Sequence, residues 1–323
     1  MHELTSMGAQ PTGLTGEALI DAILEFLADQ DLLTLQDIRA SLEREIDGAG
    51  PDALLALRAR LVADNGWSYY PRDPLAQRIH HRLADRFLGD GSELRGAHYL
   101  ALVTGSPVVI VANHLSYADA NVIEILLQRA GVAVLANRLT ALAGPKVFSS
   151  RERRFSSLCF GTIKVPQSSD VASGEAVLSG REVARAARQS IDVARARLRE
   201  GDALVLFAEG TRSRSREMQP MLAGVARYLD LPGTWVLPAG LVGPEALFPV
   251  EISNLRPARV VLQLGHPIPA GALLARADGD RRLIMDAIGL AVAETLPAEY
   301  QGVYRIADSL PDAKSVLCDS RTT

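Results

Sequence analysis

A histidine and an aspartate stand five residues apart in "VVIVANHLSYADANVIEIL", the segment from Val108 to Leu126, where a buried-looking strand gives way to a helix. This spacing does not place His114 and Asp119 on one face of a regular helix, where neighbours are three or four residues apart. It brings them together if His114 lies on the loop after the strand and Asp119 lies in the first turn of the helix. The carboxylate can then hold one ring nitrogen and leave the other free to accept a proton.

The loop between the strand and the helix suggests how this contact is made. Ser116 is predicted as the N-cap residue and Asp119 as the third helical residue, as in a capping box with aspartate in the place of glutamate. Open α/β sheets bind their ligands at the carboxyl ends of their strands, where this loop lies. The alternative is that Asp119 only caps the helix and His114 is an ordinary loop residue, since capping is common.

A second group of charged side chains follows another apolar strand, in "LFAEGTRSRS" from Leu206 to Ser215. Gly210 permits a tight turn. Arg212 and Arg214, two apart in an extended loop, can both face one anion and donate to a phosphate. The alternative is a solvated basic loop, which runs of charge commonly form. Because both loops follow strand ends of one predicted parallel sheet, we expect them to converge on one crevice.

The pattern of apolar segments predicts the fold class. Helical periodicity extends from Thr15 to about Leu88, and from about Ala97 strand-sized apolar runs alternate with helices. This predicts an α/β fold with a mixed, largely parallel sheet covered by helices on both faces, preceded by a small N-terminal helical domain. The predicted division is a flexible N-terminus (1–15), a helical domain (16–92), an α/β domain (93–307) and a polar tail (308–323). The predicted strands are "SPVVIVAN", "VAVLAN", "FGTIKV", "DALVLFAEG", "TWVLPAGLVG" and "ARVVLQLGHPI".

Composition narrows the class of protein. With 323 residues, 48% hydrophobic and 22% charged, the chain is typical of a globular protein. A net charge of -4 argues against a nucleic-acid partner. Cys159 and Cys318 form neither a zinc motif nor a disulfide framework, which fits a reducing compartment. The apolar runs are too short to span a bilayer, and the N-terminus has no signal pattern. We therefore expect a cytoplasmic protein, with peripheral attachment to the inner face of the membrane as the alternative.

Four blocks of the sequence, in this order, resemble the glycerolipid acyltransferase family, which includes glycerol-3-phosphate and 1-acylglycerol-3-phosphate acyltransferases. "NHLSYAD" matches the family's Asn-His-x4-Asp block. "FGTIKVPQ" is similar to its Gly-x-Ile-x-Val-x-Arg block, and "FAEGTRSRS" resembles Phe-Pro-Glu-Gly-Thr-Arg-Ser, with Ala208 in the place of proline. "VLPAGLVG" is similar to the fourth block, a strand that leads to a proline. One block would be weak evidence, whereas four in family order are strong.

The resemblance implies a reaction and a role for each motif residue. His114 would be the general base that deprotonates an acceptor hydroxyl as it attacks an acyl thioester, and Asp119 would orient the ring. The acyl donor would be acyl-CoA or acyl-carrier protein, the acceptor would carry a glycerol phosphate, and no metal or other cofactor would be needed. The third block would bind the acceptor through Glu209, Gly210, Thr211, Arg212 and Arg214.

The chain departs from the family pattern in the second block. Gln167 stands where the family has an arginine that contacts phosphate. Lys164 is nearby and is a candidate for substrate binding, although regular pleating turns it to the face opposite Gln167. A preceding basic segment, which is either a substitute or a solvated loop, contains Lys146, Arg151, Arg153 and Arg154.

This departure leaves other functions open. The acceptor could be a lysophospholipid, an amino-acid lipid or a specialised natural product. A thioesterase-like hydrolase would use water in place of the acceptor. A protein of another class, a non-catalytic module that binds lipid or acyl-carrier protein, could keep the same fold.

Overall fold

The structure is a computed structural model that describes residues 15–27, 30–149, 151–166, 179–249 and 254–321. The predicted flexible N-terminus, apart from Thr15, and Gln167 lie outside the described residues. The helices are α1 (Gly16–Phe26), α2 (Leu32–Val62), α3 (Pro74–Phe87), α4 (Asp119–Arg129), α5 (Ala133–Ala136), α6 (Arg151–Ser157), α7 (Gly180–Arg199), α8 (Pro244–Leu247), α9 (Ala270–Arg276), α10 (Arg281–Ala293) and α11 (Pro311–Arg321). The strands are β1 (Tyr69–Tyr70), β2 (Glu93–Arg95), β3 (Val108–Ala112), β4 (Leu139–Ala143), β5 (Gly161–Lys164), β6 (Ala203–Phe207), β7 (Trp235–Val242), β8 (Val261–Leu264) and β9 (Ile268–Pro269).

These strands form one sheet in the order β1-β5-β4-β6-β3-β7-β8-β2, with β9 paired to β7. The five inner strands from β5 to β7 are mutually parallel. Strand β1 is antiparallel to β5, and β8 is antiparallel to β7. Helix α7 packs on β5 and β6, and α10 packs on β3 and β7. The predicted α/β class with a mixed, largely parallel sheet is confirmed.

The central strand β3 determines where the first motif lies. All five of its residues are buried, as expected for a parallel strand that is covered on both faces. Its last residue, Ala112, is paired with Phe207 of β6 on one side and Ala239 of β7 on the other. The loops that begin at Asn113 and Ala208 therefore leave the sheet from neighbouring strand ends.

Two sequence expectations differ from the structure. The run "VAVLAN" is not a strand, because it forms the helical turn α5, and the strand follows at Leu139–Ala143. An apolar run of this length fits either structure, since it is too short to show a period. Residues 311–321 of the expected tail form α11, which packs on α9 and α10 and buries Ala313, Val316 and Leu317. With so few buried apolar positions, the helical period is weak in the sequence.

A buried polar cluster joins the N-terminal helix α3 to α4. The Glu124 side chain of α4 is fully buried. One of its carboxylate oxygens accepts from Gln77 Nε2 of α3 at 2.7 Å, and the other lies 3.0 Å from His81 Nε2. These hydrogen bonds, led by the one from His81, lower the pKa of Glu124 although burial opposes them. Hydrogen bonds from α3 thus hold helix α4, which begins at Asp119, in its position.

His80 of α3 gives this junction a pH dependence. Its Nε2 lies 3.2 Å from the carbonyl of Asn121, and burial lowers its pKa to about 4. Between that value and the unfolded value near 6.5 the unfolded chain binds more protons, so stability falls as the pH falls. We expect His80 to contribute a loss of about 2 kcal/mol in the free energy of unfolding between pH 7 and pH 5. Urea unfolding at several pH values measures this contribution. In the His80→Gln chain the free energy of unfolding should fall less between pH 7 and pH 5 than in the unmodified chain.

The control for that measurement is His98→Gln, because His98 is exposed. This variant should keep the pH slope of the unmodified chain. A slope that is the same in the His80→Gln chain and in the unmodified chain would show that His80 does not supply it.

Two further features bear on the environment of the chain. Within the described ranges, no helix combines the length and the apolar character needed to cross a bilayer. Those same ranges contain no group of three or more His, Cys, Asp or Glu side chains placed to hold a metal ion.

Candidate active site

His114 and Asp119 form the predicted pair. His114 Nδ1 lies 2.8 Å from Asp119 Oδ2, and the carboxylate is fully buried while the ring is 19% exposed. The ring stacks on Phe207, with centroids 4.4 Å apart and planes 18° from parallel. Since Nδ1 faces the carboxylate, Nε2 is the nitrogen that can accept a proton, and it has no hydrogen-bond partner among the described residues. This is the arrangement that a general base requires.

The loop before α4 is wound differently from the predicted capping box. The helix begins at Asp119 itself, with Ala118 in the N-cap position, so the prediction of Ser116 as the N-cap residue is wrong. The Ser116 hydroxyl accepts from the Ala118 N–H at 3.1 Å, within the loop. Asp119 Oδ2 still reaches back, and accepts from the N–H groups of Leu115 and Ser116 at 2.7 and 3.0 Å. One oxygen therefore holds both the loop backbone and the imidazole.

Glu209 connects the two motif loops. Its Oε1 accepts from the His114 N–H at 2.8 Å, and its Oε2 accepts from the Gln219 N–H at 2.7 Å. In return the Ser213 N–H donates to the His114 carbonyl at 2.7 Å. Burial raises the pKa of Glu209 to about 7, while the two N–H donors work against this rise. The structure therefore uses Glu209 to hold the backbone at His114.

Gly210 makes the turn after Glu209. Its φ of 74° lies in the left-handed region that glycine adopts readily. A Cβ atom at this position would also come within 2.5 Å of the Leu222 side chain. Thr211 and Arg214, both predicted to bind substrate, lie on the surface of this loop with exposed side chains.

Arg212 turns back toward the first motif. Its guanidinium carbon lies 3.5 Å from the centre of the Tyr117 ring, a cation–π contact. Burial lowers the pKa of Arg212, and the negative charge of Asp119 partly offsets this. Arg212 therefore lies against the loop that carries His114 and Asp119, because Tyr117 lies between these two residues in the sequence.

Lys164 lies on another part of the sheet. Its Nζ is 5.2 Å from the centre of the Trp67 ring and 5.3 Å from that of Phe148. Strands β4 and β6 separate β5 from β3, a distance of about 14 Å at ordinary strand spacing. The structure does not bring Lys164 to the His114 pair.

Asn113 fixes the position of the first motif loop, a role that its place in the motif does not indicate. Its side-chain amide makes two hydrogen bonds to the backbone of Leu241, at 2.8 and 3.0 Å, and so ties the loop to β7. The sequence offered one sign of this role, since Asn113 is a polar residue that directly follows a buried apolar run and precedes the histidine. The contact of Phe207 with His114 and that of Tyr117 with Arg212 had no such signal, because they depend on the pairing of β3 with β6.

Comparisons with known proteins give a family match for the region of the site and one similar solved structure. Residues 92–242, a region that contains both motif loops, match the family model described as Acyltransferase. The crystal structure of the 1-acyl-sn-glycerophosphate (LPA) acyltransferase PlsC from Thermotoga maritima is similar, with a TM-score of 0.46 and 15% identity over 87% of this chain and 97% of that chain. No curated protein matches the sequence.

Proposed function

We propose that this protein is an O-acyltransferase that moves a fatty acyl group from an acyl thioester to a hydroxyl of a phosphate-bearing glycerolipid precursor. The observation that carries the proposal is the geometry of His114. One ring nitrogen lies 2.8 Å from a buried carboxylate, the other has no partner among the described residues, and the ring is partly exposed. Acyl-CoA or acyl-carrier protein would be the donor. We place the reaction in the cytoplasm, with the acceptor drawn from the inner face of the membrane.

The proposed reaction needs one proton carrier. His114 Nε2 takes the proton of the acceptor hydroxyl as its oxygen attacks the thioester carbonyl, and Asp119 offsets the charge of the imidazolium. The tetrahedral intermediate collapses with cleavage of the C–S bond, and the imidazolium returns the proton to the leaving thiolate. A thioester is already activated, so positioning and one base are sufficient for transfer. The acyl group passes directly to the acceptor, with no covalent acyl-enzyme.

An acceptor screen tests the proposal. Purified chain is mixed with acyl-CoA or acyl-carrier protein, thiol release is followed, and products are identified by mass spectrometry. Glycerol 3-phosphate, 1-acylglycerol 3-phosphate and their phosphate-free counterparts are the informative acceptors. We expect release that depends on a phosphate-bearing acceptor. Equal release without acceptor would make the protein a thioesterase, and no release with any acceptor would favour a non-catalytic binding module.

Arg212 is expected to act through binding of the acceptor. Because a guanidinium donates charge-assisted hydrogen bonds to phosphate, Arg212→Ala should raise the KM for the acceptor by about 10- to 100-fold. The value of kcat should change much less. Steady-state kinetics with a phosphate-bearing acceptor measure both constants. Arg212→Lys keeps the positive charge but loses the paired donors of the guanidinium, so its KM should lie between those of the unmodified chain and the alanine variant. An unchanged KM in the alanine variant would point to an acceptor without phosphate.

A further inference from the structure

The Tyr117 ring holds two guanidinium groups from distant parts of the chain. Arg212 comes from the loop after β6, with its guanidinium carbon 3.5 Å from the ring centre. Arg153 comes from α6, with its guanidinium carbon 4.7 Å from the same centre. The two carbons are therefore no more than about 8 Å apart. The ring belongs to the loop that also carries His114.

Two cations at this separation repel each other, which adds to the cost of keeping Arg212 charged. Burial is the main cause of its lowered pKa, and the charge of Arg153 lowers it further. In the part of the chain that the structure describes, no carboxylate forms an ion pair with Arg212. The Tyr117 ring offsets part of this cost. An anion that bound both guanidiniums would remove the repulsion and gain charge-assisted hydrogen bonds.

Two other basic side chains near this segment make contacts away from Tyr117. Arg154 donates to the carbonyls of Arg60 and Ala63 at 3.1 and 3.2 Å, and lies over the Tyr70 ring. Lys164 lies by Trp67 and Phe148. Arg153, whose Nη1 also donates to the Lys146 carbonyl at 3.3 Å, shares an aromatic ring with Arg212.

We propose that Arg153 binds the acceptor's phosphate together with Arg212, and that Tyr117 positions both guanidiniums for it. This inference rests on the proposed function and names the chemistry that selects its acceptor, a phosphate monoester. Shared binding requires that both guanidiniums face the same side of the Tyr117 ring, where N···O distances of about 2.8 Å let one phosphate span a gap of up to about 8 Å between two donor nitrogens. Arg153 supplies from α6 the second cation, while Gln167 stands where the family pattern has arginine.

Binding of glycerol 3-phosphate to the whole chain tests this inference. Isothermal titration compares the unmodified chain with Arg153→Ala, Arg153→Lys and Arg188→Ala, using glycerol as the phosphate-free probe. We expect the Kd for glycerol 3-phosphate to rise at least tenfold in Arg153→Ala and less in Arg153→Lys. Arg188, an exposed arginine of α7, is the matched control, and its replacement should leave the Kd unchanged.

Each possible outcome separates a binding role from a structural one. Removal of Arg153 should cost less in an Arg212→Ala background, because both side chains hold one group. An unchanged Kd in Arg153→Ala, or no binding of glycerol 3-phosphate by the unmodified chain, would overturn the inference. An equal loss of glycerol binding would also overturn it, because the role would then be structural. If glycerol 3-phosphate binds through Arg153 but no acyl group is transferred, the proposed function fails and this inference stands.

Discussion

Replacing His114 by alanine is expected to lower kcat for acyl transfer by about 10²- to 10⁴-fold, the usual contribution of a positioned general base. The alanine variant keeps the backbone hydrogen bonds of this residue, since the Glu209 and Ser213 contacts involve its N–H and carbonyl groups. It loses the ring that would take the proton. The loss should therefore appear in turnover rather than in acceptor binding.

Stability separates this catalytic effect from damage to the fold. The ring is stacked on Phe207 and partly exposed, so its removal should cost only about 1–2 kcal/mol. Thiol release measures turnover, and urea unfolding measures the cost to the fold. The matched control is His98→Ala, because His98 is exposed and remote in sequence from the motif loops. Near-normal turnover by the His114→Ala chain would refute the proposed base.

The parts of the site that follow directly from strands could be predicted from the sequence. The buried runs that end at Ala112 and Phe207 indicated two strands, and the motif loops follow each of them. Once those strands are parallel and adjacent, their loops must lie together. The contact between His114 and Asp119 needed only the turn between strand and helix. These features depend on short stretches of chain, where the pattern of residues is a strong signal.

The parts that depend on packing between distant segments could not be predicted. The sequence contains four basic candidates in 146–154, and nothing in their spacing shows that Arg153 meets Tyr117 while Arg154 does not. Glu209 holds the backbone at His114 because β6 lies beside β3, a pairing that spans 95 positions. Helix α4 begins later in the chain than predicted for a local reason. Ser116 and Asp119 can each accept hydrogen bonds from backbone N–H groups in more than one conformation of the loop.

Replacing Asp119 by asparagine is the second decisive experiment, because it separates charge from geometry. Three N–H groups meet at Oδ2, those of the His114 ring and of the Leu115 and Ser116 backbone. Oδ1 is buried and has no partner among the described residues. An asparagine can therefore keep its oxygen at the Oδ2 position and place its amide nitrogen at the other. In the reverse orientation the amide N–H groups of the asparagine would face three other N–H donors, which is unfavourable. The His114 ring should therefore keep its proton on Nδ1.

In this variant the imidazolium forms without a neighbouring negative charge. We expect Asp119→Asn to lower kcat by about 10²- to 10⁴-fold, while the buried amide costs only about 1–3 kcal/mol of stability. Asp119→Ala should lose a similar factor in kcat and destabilise the chain more, because two backbone donors then lack their acceptor. Thiol release and urea unfolding on both variants give the comparison.

The two roles considered for Asp119 predict opposite results. If the side chain serves only to hold the start of α4, its hydrogen-bonding oxygen is what matters, and the asparagine chain should turn over almost as fast as the unmodified one. If it stabilises the protonated ring, the asparagine chain should be folded and nearly inactive. A folded chain with almost full activity would thus exclude the acid–base pair, since a neutral amide cannot offset the charge that forms on His114 during the reaction.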